Sequence, residues 1–188
     1  LAKNIEADNR TDAELVELSK SDPEIFGFLI TRYQEKLFRY VRRISYFKTE
    51  DIEDTLQEVF IKVYKNLNDY DESLKFSSWI YRITRNQTVD QIRKNSKNSQ
   101  VLSLDENDIG RLLKSASCPV KEFENRDSLE KARQAIQKLP EKYREVLVLR
   151  FLEEKDYEEI MDILKKPKGT IATLIKRGRE KLEYKLAN

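Results

Sequence analysis

Histidine is absent from this 188-residue chain and cysteine occurs once, as Cys118. Without histidine, neither a Ser-His-Asp relay nor a His-containing zinc site can be built. A lone thiol makes no internal disulfide and no Cys-rich metal centre, and reads as a reduced thiol of the cytosol. Glycine and proline number only 4 each. Sandwiches and barrels of short strands need more turn residues than that, so helices are expected. No apolar run approaches the ~18 residues of a membrane span, and no signal peptide is visible. The expectation is a soluble, cytoplasmic protein with no membrane insertion and no cofactor.

What the chain has in quantity is charge of both signs. Lys and Arg total 36 and Asp and Glu 34, and 37% of residues are charged against 39% hydrophobic. That is polar for a globular protein and too apolar for a disordered one. The net value of +2 conceals a sorting along the chain. Residues 50–58 hold five acids and no base, and residues 75–97 hold six bases against Asp90. Residues 153–162 hold six acids against Lys155, and residues 165–188 hold eight bases against Glu180 and Glu183. Alternating blocks of this kind point to separate surfaces for separate partners.

Hydrophobic spacing predicts helices throughout. A short one covers about 12–20. Asp22-Pro23 starts the next, with Asp22 as N-cap and Pro23 in the first helical position. Phe26, Leu29, Tyr33, Leu37, Tyr40 and Ile44 follow three or four apart. A third helix covers about 49–67, with a core stripe of Ile52, Leu56, Val59, Phe60, Val63 and Leu67. After a loop at 68–73, a fourth covers about 76–95. Residues 96–119 are rich in Ser and Asn and read as a linker, since loops that long are uncommon inside one domain. Its Leu102, Leu104, Ile109, Leu112 and Leu113 leave two readings open: a short helix packing back on a domain, or a segment that orders against a partner. Helical spacing resumes at 126–139, and Pro140 opens another helix. Asp156-Tyr-Glu-Glu159 fits a capping box, and a last helix carries Ile171, Ile175, Gly178, Leu182 and Leu186 on one face.

Three surfaces stand out. Two short helices, a tight turn at 165–169 and a basic second helix form a helix-turn-helix pattern. In the last helix Lys168, Thr173, Lys176 and Arg177 lie away from the apolar face, and Arg179, Lys181 and Lys185 extend the positive field. Such groups meet phosphates and base edges in a major groove; an ordinary solvated basic helix is the plainer account. In the fourth helix Trp79, Arg82, Asn86, Asp90, Arg93 and Lys97 fall on one stripe at 100° per residue. An exposed ring beside an amide and guanidiniums suits unpaired nucleic acid, with Tyr70, Lys75, Phe76, Ser77 and Ser78 upstream as further pocket residues. The competing account puts Trp79 and Phe76 in the core. In the third helix, Asp54, Gln57, Glu58, Ile61, Lys62 and Lys65 lie opposite the core stripe. An apolar spot ringed by charge is a protein-docking footprint or simply one exposed Ile. Asp51, Glu53, Asp54 and Glu58 could also be read as a divalent-metal cluster, but no opposed carboxylate helix is present.

Taken together, the segments resemble a known family. The run from Asp51 to Lys62 is similar to the polymerase-binding helix of the extracytoplasmic-function sigma factors, small relatives of sigma-70. Residues 76–86, read as FSSWIYRITRN, with Asp90-Gln-Ile-Arg93, resemble the family's −10 region. Leu139-Pro140, Tyr143-Arg144 and residues 147–150 match the opening of its second domain. Asp156-Tyr-Glu-Glu-Ile160 and Pro167-Lys-Gly-Thr-Ile171 match its helix-turn-helix. The match runs over about residues 12–186 apart from the linker.

The resemblance implies an all-α protein of two small domains on a flexible linker: sigma region 2 at 1–98, linker at 99–125 and sigma region 4 at 126–188. It implies a promoter-specificity subunit with no catalytic residues and no metal. Asp54, Gln57, Glu58, Ile61 and Lys62 would dock on the clamp coiled coil of the β′ subunit of core RNA polymerase, with a further contact to the β subunit. Tyr70, Lys75, Phe76, Ser77, Trp79, Arg82, Asn86, Asp90 and Arg93 would bind the −10 element of promoter DNA. Lys166, Lys168, Thr170, Thr173, Lys176, Arg177 and Arg179 would bind the −35 element. An anti-sigma factor is the expected inhibitor. Departures from the family pattern are Ala172 and Leu174 in the recognition helix, Gly178 where Ala is usual, and Lys165-Lys166 in the turn. The rivals are a helix-turn-helix regulator acting on duplex DNA alone, a metal enzyme using the carboxylate cluster, and an adaptor that occupies polymerase without opening DNA.

Overall fold

The computed structural model describes residues 10–94, 104–115 and 126–187, with the backbone alone at 126–128. Lys97, Leu102 and Cys118 lie outside the described residues. The described residues contain helices and turns and no strand. They divide into two compact units, the first from residues 10–41 and 47–94, the second from 42–46 with 104–115 and 126–187.

In the first unit α1 spans Asp12–Ser21, α2 Pro23–Ile44 (belonging to it up to Val41), α3 Thr49–Lys65 and α4 Phe76–Lys94. Each start has a local cause. Thr11 and Glu14 form a reciprocal capping box, the Thr11 N–H donating to Glu14 at 2.7 Å and the Glu14 N–H donating to Thr11 Oγ1 at 3.3 Å. Asp22 accepts from the Glu24 N–H at 3.0 Å, and Pro23 takes the first helical position. Helix α3 stops at Lys65, two residues before the end expected from its stripe. There the Asn66 side chain turns back on the Lys62 carbonyl at 2.7 Å, and a single 3₁₀ turn at Leu67–Asp69 follows. The expected apolar stripes are buried: Leu29, Leu37 and Tyr40 of α2, Ile52, Val59 and Val63 of α3, and Ile80 of α4 are all at or below 1% exposure. Removing such side chains from water is the main stabilising term.

In the second unit α5 spans Glu106–Ser115, α6 Arg126–Gln137 and α7 Glu141–Leu147. A π-type turn at Val148–Leu152, α8 at Tyr157–Leu164 and α9 at Lys168–Ala187 complete it. Helix α5 comes from the expected linker. It packs on the π-type turn and α6 and buries Ile109, Leu112 and Leu113, with Leu104 buried just before it. The first of the two readings therefore describes the part of this segment at 104–115. The wider turn at Val148–Leu152 leaves Phe151 half-buried. Gly178 is explained by its neighbour. A Cβ there would meet Leu147 side-chain carbons at 3.3 Å, so the absence of a methyl lets α9 close on α7.

The second unit also contains a buried charge cluster. Arg43 donates to Asp108 at 2.5 and 2.9 Å and to Glu153 at 2.6 Å, and all three side chains are 8% exposed or less. Burial opposes the guanidinium charge, but hydrogen bonds to Asp108 and Glu153 more than offset this and hold its pKa above the ordinary value. Two carboxylates are thus kept under cover by one cation. Arg43→Ala leaves both unpaired and should lower the stability of this unit by about 3–5 kcal/mol. Chemical denaturation of the full chain, followed by circular dichroism, measures that loss.

Candidate nucleic-acid and partner surfaces

On α3, the side chains of Asp54, Gln57, Glu58, Ile61 and Lys62 are all exposed, and Ile61 is 54% exposed. Their alternation with buried Ile52, Leu56, Val59 and Val63 follows from the helical repeat. Gln57 and Ile61 also line a groove of about 680 Å³ with Leu56 and Phe60 and with Ile30 and Phe38 of α2. The α2 residues belong to this surface and were not recognised from the sequence. They sit on the part of α2 beside α3, which only the packing reveals. Glu35 and Glu53 border the groove, giving an apolar floor with an acidic rim. No group of three or more His, Cys, Asp or Glu side chains placed to hold a metal occurs among the described residues.

On α4, the expected stripe is divided by depth. Asn86, Asp90 and Arg93 are exposed and Arg82 is half-buried. Trp79 is 6% exposed, Phe76 3% and Tyr70 7%, so the reading of Trp79 as an open stacking platform is corrected. The cause is an aromatic cluster. Trp79 lies 5.2 Å from Tyr70 and 5.8 Å from Phe76 between ring centroids, and Phe76 lies 5.5 Å from Tyr33 of α2. Tilted and edge-on rings at these separations attract beyond their burial. Tyr70 donates to the Leu74 carbonyl at 2.5 Å, which pins the loop before α4. Burial, then the nearby charges of Asp12, Glu72 and Asp71, push the Tyr70 hydroxyl pKa upward, so it remains a neutral donor. Lys75 is exposed and Ser77 half-buried at the start of the helix.

Trp79 nevertheless reaches a surface feature. It lines a recess of about 370 Å³ with Ile83, Asn86, Gln87 and Asp90 of α4 and with Lys62, Asn66 and Asp69 from the end of α3 and the turn beyond. Asn86, Asp90 and Trp79 are thereby brought together as expected. Lys62 joins them, although the sequence placed it with the docking residues. Gln87, Asn66, Asp69 and Ile83 are additional. Gln87 is 6% exposed on the inward side of α4, and helical spacing did not mark it.

In the second unit, Asp156 accepts from the Glu159 N–H at 2.8 Å, and the Asp156 N–H donates to Glu159 at 3.1 Å, as the capping box requires. Helix α8 ends at Lys165, which takes a left-handed conformation with φ 51° and donates its N–H to the Met161 carbonyl. Helix α9 buries Ile171, Ile175, Gly178 and Leu182. That places Lys168, Thr170, Thr173, Lys176 and Arg177 on the exposed side, with Lys166 exposed in the turn and Arg179 half-buried. The Thr173 hydroxyl donates to the Gly169 carbonyl at 2.8 Å, and Lys176 lies 3.9 Å from Glu180. The exposed residues thus form a basic outer face on a helix that follows a tight turn.

Known proteins resemble the chain along most of its length. The profile of Sigma-70 region 2 matches residues 29–98, and that of Sigma-70, region 4 matches residues 129–182. The chain is 33% identical over 178 residues to the ECF RNA polymerase sigma factor SigW of Bacillus subtilis, covering 90% of this chain and 93% of that one. Among solved structures, CnrH in complex with the cytosolic domain of CnrY aligns with a TM-score of 0.68 at 23% identity, over 94% of this chain and 97% of that one. The sigma factor RpoE of Bartonella quintana, in complex with the anti-sigma factor NepR, aligns with a TM-score of 0.63 at 19% identity, over 86% of this chain and 96% of that one. The chain belongs to the ECF sigma factors of the sigma-70 family. Among the described residues, the region 2 match falls in the first unit apart from residues 42–46, and the region 4 match falls in the second.

Two expected outcomes follow from the geometry. Trp79 is the sole tryptophan, so its fluorescence should be blue-shifted and its quenching by acrylamide well below that of free tryptophan. Lys165 pays for its left-handed backbone where glycine would not, so Lys165→Gly should raise unfolding stability by about 1 kcal/mol in a urea titration.

Proposed function

We propose that this chain acts as the promoter-specificity subunit of RNA polymerase, holding DNA at two points while it rides on the core enzyme. The single observation that carries the reading is that α3 and α4 turn two chemically different surfaces outward within one unit. One is the apolar groove with its acidic rim, and the other is the polar recess at Asn86. In this reading Asp54, Gln57, Glu58, Ile61 and the groove dock on the β′ clamp coiled coil. The exposed Ile61 is the apolar anchor and the acids select a basic partner.

The recess receives a base of the non-template −10 strand once the duplex has opened. Asn86 offers an amide to the base edge, while Arg82, Lys75 and Arg93 attract the backbone. Trp79 contributes an edge of the recess wall, supported from behind by Tyr70 and Phe76. A base held in a fitted pocket offsets part of the unpairing cost. In region 4 the outer face of α9 enters the major groove of the −35 element. Lys168, Thr170, Thr173, Lys176 and Arg177 face the DNA, and Lys166 reaches phosphate from the turn. The protein supplies no catalytic group and needs no cofactor, since nucleotide addition belongs to the core enzyme. It works in the cytoplasm, and an anti-sigma protein is its expected inhibitor.

A stand-alone regulator would leave the region 2 match at residues 29–98 without a role. Run-off transcription with purified core polymerase on randomised promoters tests the proposal and yields a usable promoter. On that promoter Asn86→Ala should cut open-complex formation by about tenfold while leaving polymerase binding unchanged. Ile61→Glu should weaken polymerase binding itself. Lys168→Ala with Arg177→Ala should reduce initiation at promoters that depend on the −35 element. Equal initiation by all of these variants would overturn the reading.

A further inference from the structure

Between the docking face and the recess lies one side chain that touches both. Gln87 is 6% exposed and projects from α4 toward α3. Its Nε2 donates to the carboxylate of Glu58, and its Oε1 accepts from the ammonium of Lys62. Glu58 and Lys62 stand one turn apart on α3, so a single amide spans an oppositely charged pair with both its polar atoms satisfied. One turn further along, Thr55 Oγ1 lies 2.5 Å from Gln91 Oε1, adding a second polar rung to the same seam. Apolar contacts allow two helices to slide and rotate at modest cost. Hydrogen bonds to charged partners at fixed positions define the rotation of α4 on α3.

Rotation matters here because Asn86 precedes Gln87 on the same turn. Both line the recess, as does Lys62. Glu58 and Lys62 are otherwise exposed and lie on the face assigned to polymerase. We infer that Gln87 is a positioning residue that fixes the base recess relative to the polymerase-docking helix, through its paired bonds to Glu58 and Lys62. This rests on the base-capture reading above and adds a residue that reading does not require. Lys62 accordingly serves the DNA side of the unit as a wall of the recess and as the cation that holds the amide.

An exchange of groups tests the inference. Gln87→Glu retains an acceptor for Lys62 but sets a carboxylate against Glu58 with no donor between them. Adding Glu58→Gln restores a donor at that point and keeps the net charge and both hydrogen bonds. The full-length variants are assembled with saturating core polymerase on a promoter selected with the unaltered protein. Core affinity, open-complex fluorescence from a base analogue in the −10 strand, and the thermal midpoint are read together. Gln87→Glu should reduce open complex by about tenfold, the worth of one hydrogen bond to a charged group, at unchanged core affinity. With core polymerase saturating, so that any loss of docking through Glu58 is read separately as core affinity, opening per bound complex by the exchanged pair should recover to within about threefold of the unaltered protein.

Normal opening by Gln87→Glu overturns the inference. So does a parallel fall in core affinity and opening, or failure of the exchanged pair to recover while its thermal midpoint is normal. If Gln87→Glu does not fold at the assay temperature, Gln87→Met removes both bonds without adding charge. It should show the same loss of opening, and normal opening by it also overturns the inference. Asn86→Ala, run in parallel, separates the two failures. Normal opening by Asn86→Ala removes the base-capture reading itself, whereas its failure beside normal opening by Gln87→Glu removes only the role of Gln87.

Discussion

Helix α4 can present a polar outer stripe only because its other side is held by two kinds of contact, one to α2 and the preceding loop and one to α3. At its start, Phe76 and Trp79 are locked with Tyr70 and Tyr33 in an aromatic cluster. Further along, Gln87 and Gln91 meet Glu58, Lys62 and Thr55 in a polar seam. The cluster supplies burial and the seam supplies register. Everything chemically active on the first unit sits on one side or the other of this joint. The apolar groove beside Ile61 depends on the position of α3, and the recess at Asn86 depends on both helices.

The second unit answers a different problem, which is how short helices are made to persist. Helices of 7 and 8 residues such as α7 and α8 are marginal alone. Here Asp156 and Glu159 cap α8 reciprocally. The buried Arg144 covers the end of α6 by donating to the Gln137 and Leu139 carbonyls at 3.2 and 3.4 Å. Leu147 fills the space left by Gly178, drawing α9 across α7. The Arg43 cluster then brings two acids into the interior at Asp108 and Glu153. With α9 packed from behind through Ile171, Ile175, Gly178 and Leu182, its basic side is left outward.

Helical boundaries were legible wherever a cap or a proline wrote them, as at Asp22-Pro23, Pro140 and Asp156. They were less legible where a side chain closed the helix, as Asn66 does at the end of α3. The outward faces of α3 and α9 were also readable, since a strong apolar stripe dictates what lies opposite. The stripe on α4 was ambiguous for a physical reason. A 100° repeat tells which residues share a side but not how deeply that side is buried. Trp79 and Asn86 therefore looked alike in depth, and the loop that carries Tyr70 decides between them.

The amino-acid order alone determined the helical class, the two regions, the charge sorting and the basic face of the last helix. Those properties come from local spacing, capping and composition, which act over a few residues. Tertiary structure decided that Trp79 is a wall and not a platform, that Lys62 belongs to the recess, and that α2 contributes Ile30 and Phe38 to the groove. It also decided that Gln87 bridges two charges. Each of these depends on residues from separate helices meeting at a distance set by packing, and helical periodicity carries no information about that distance.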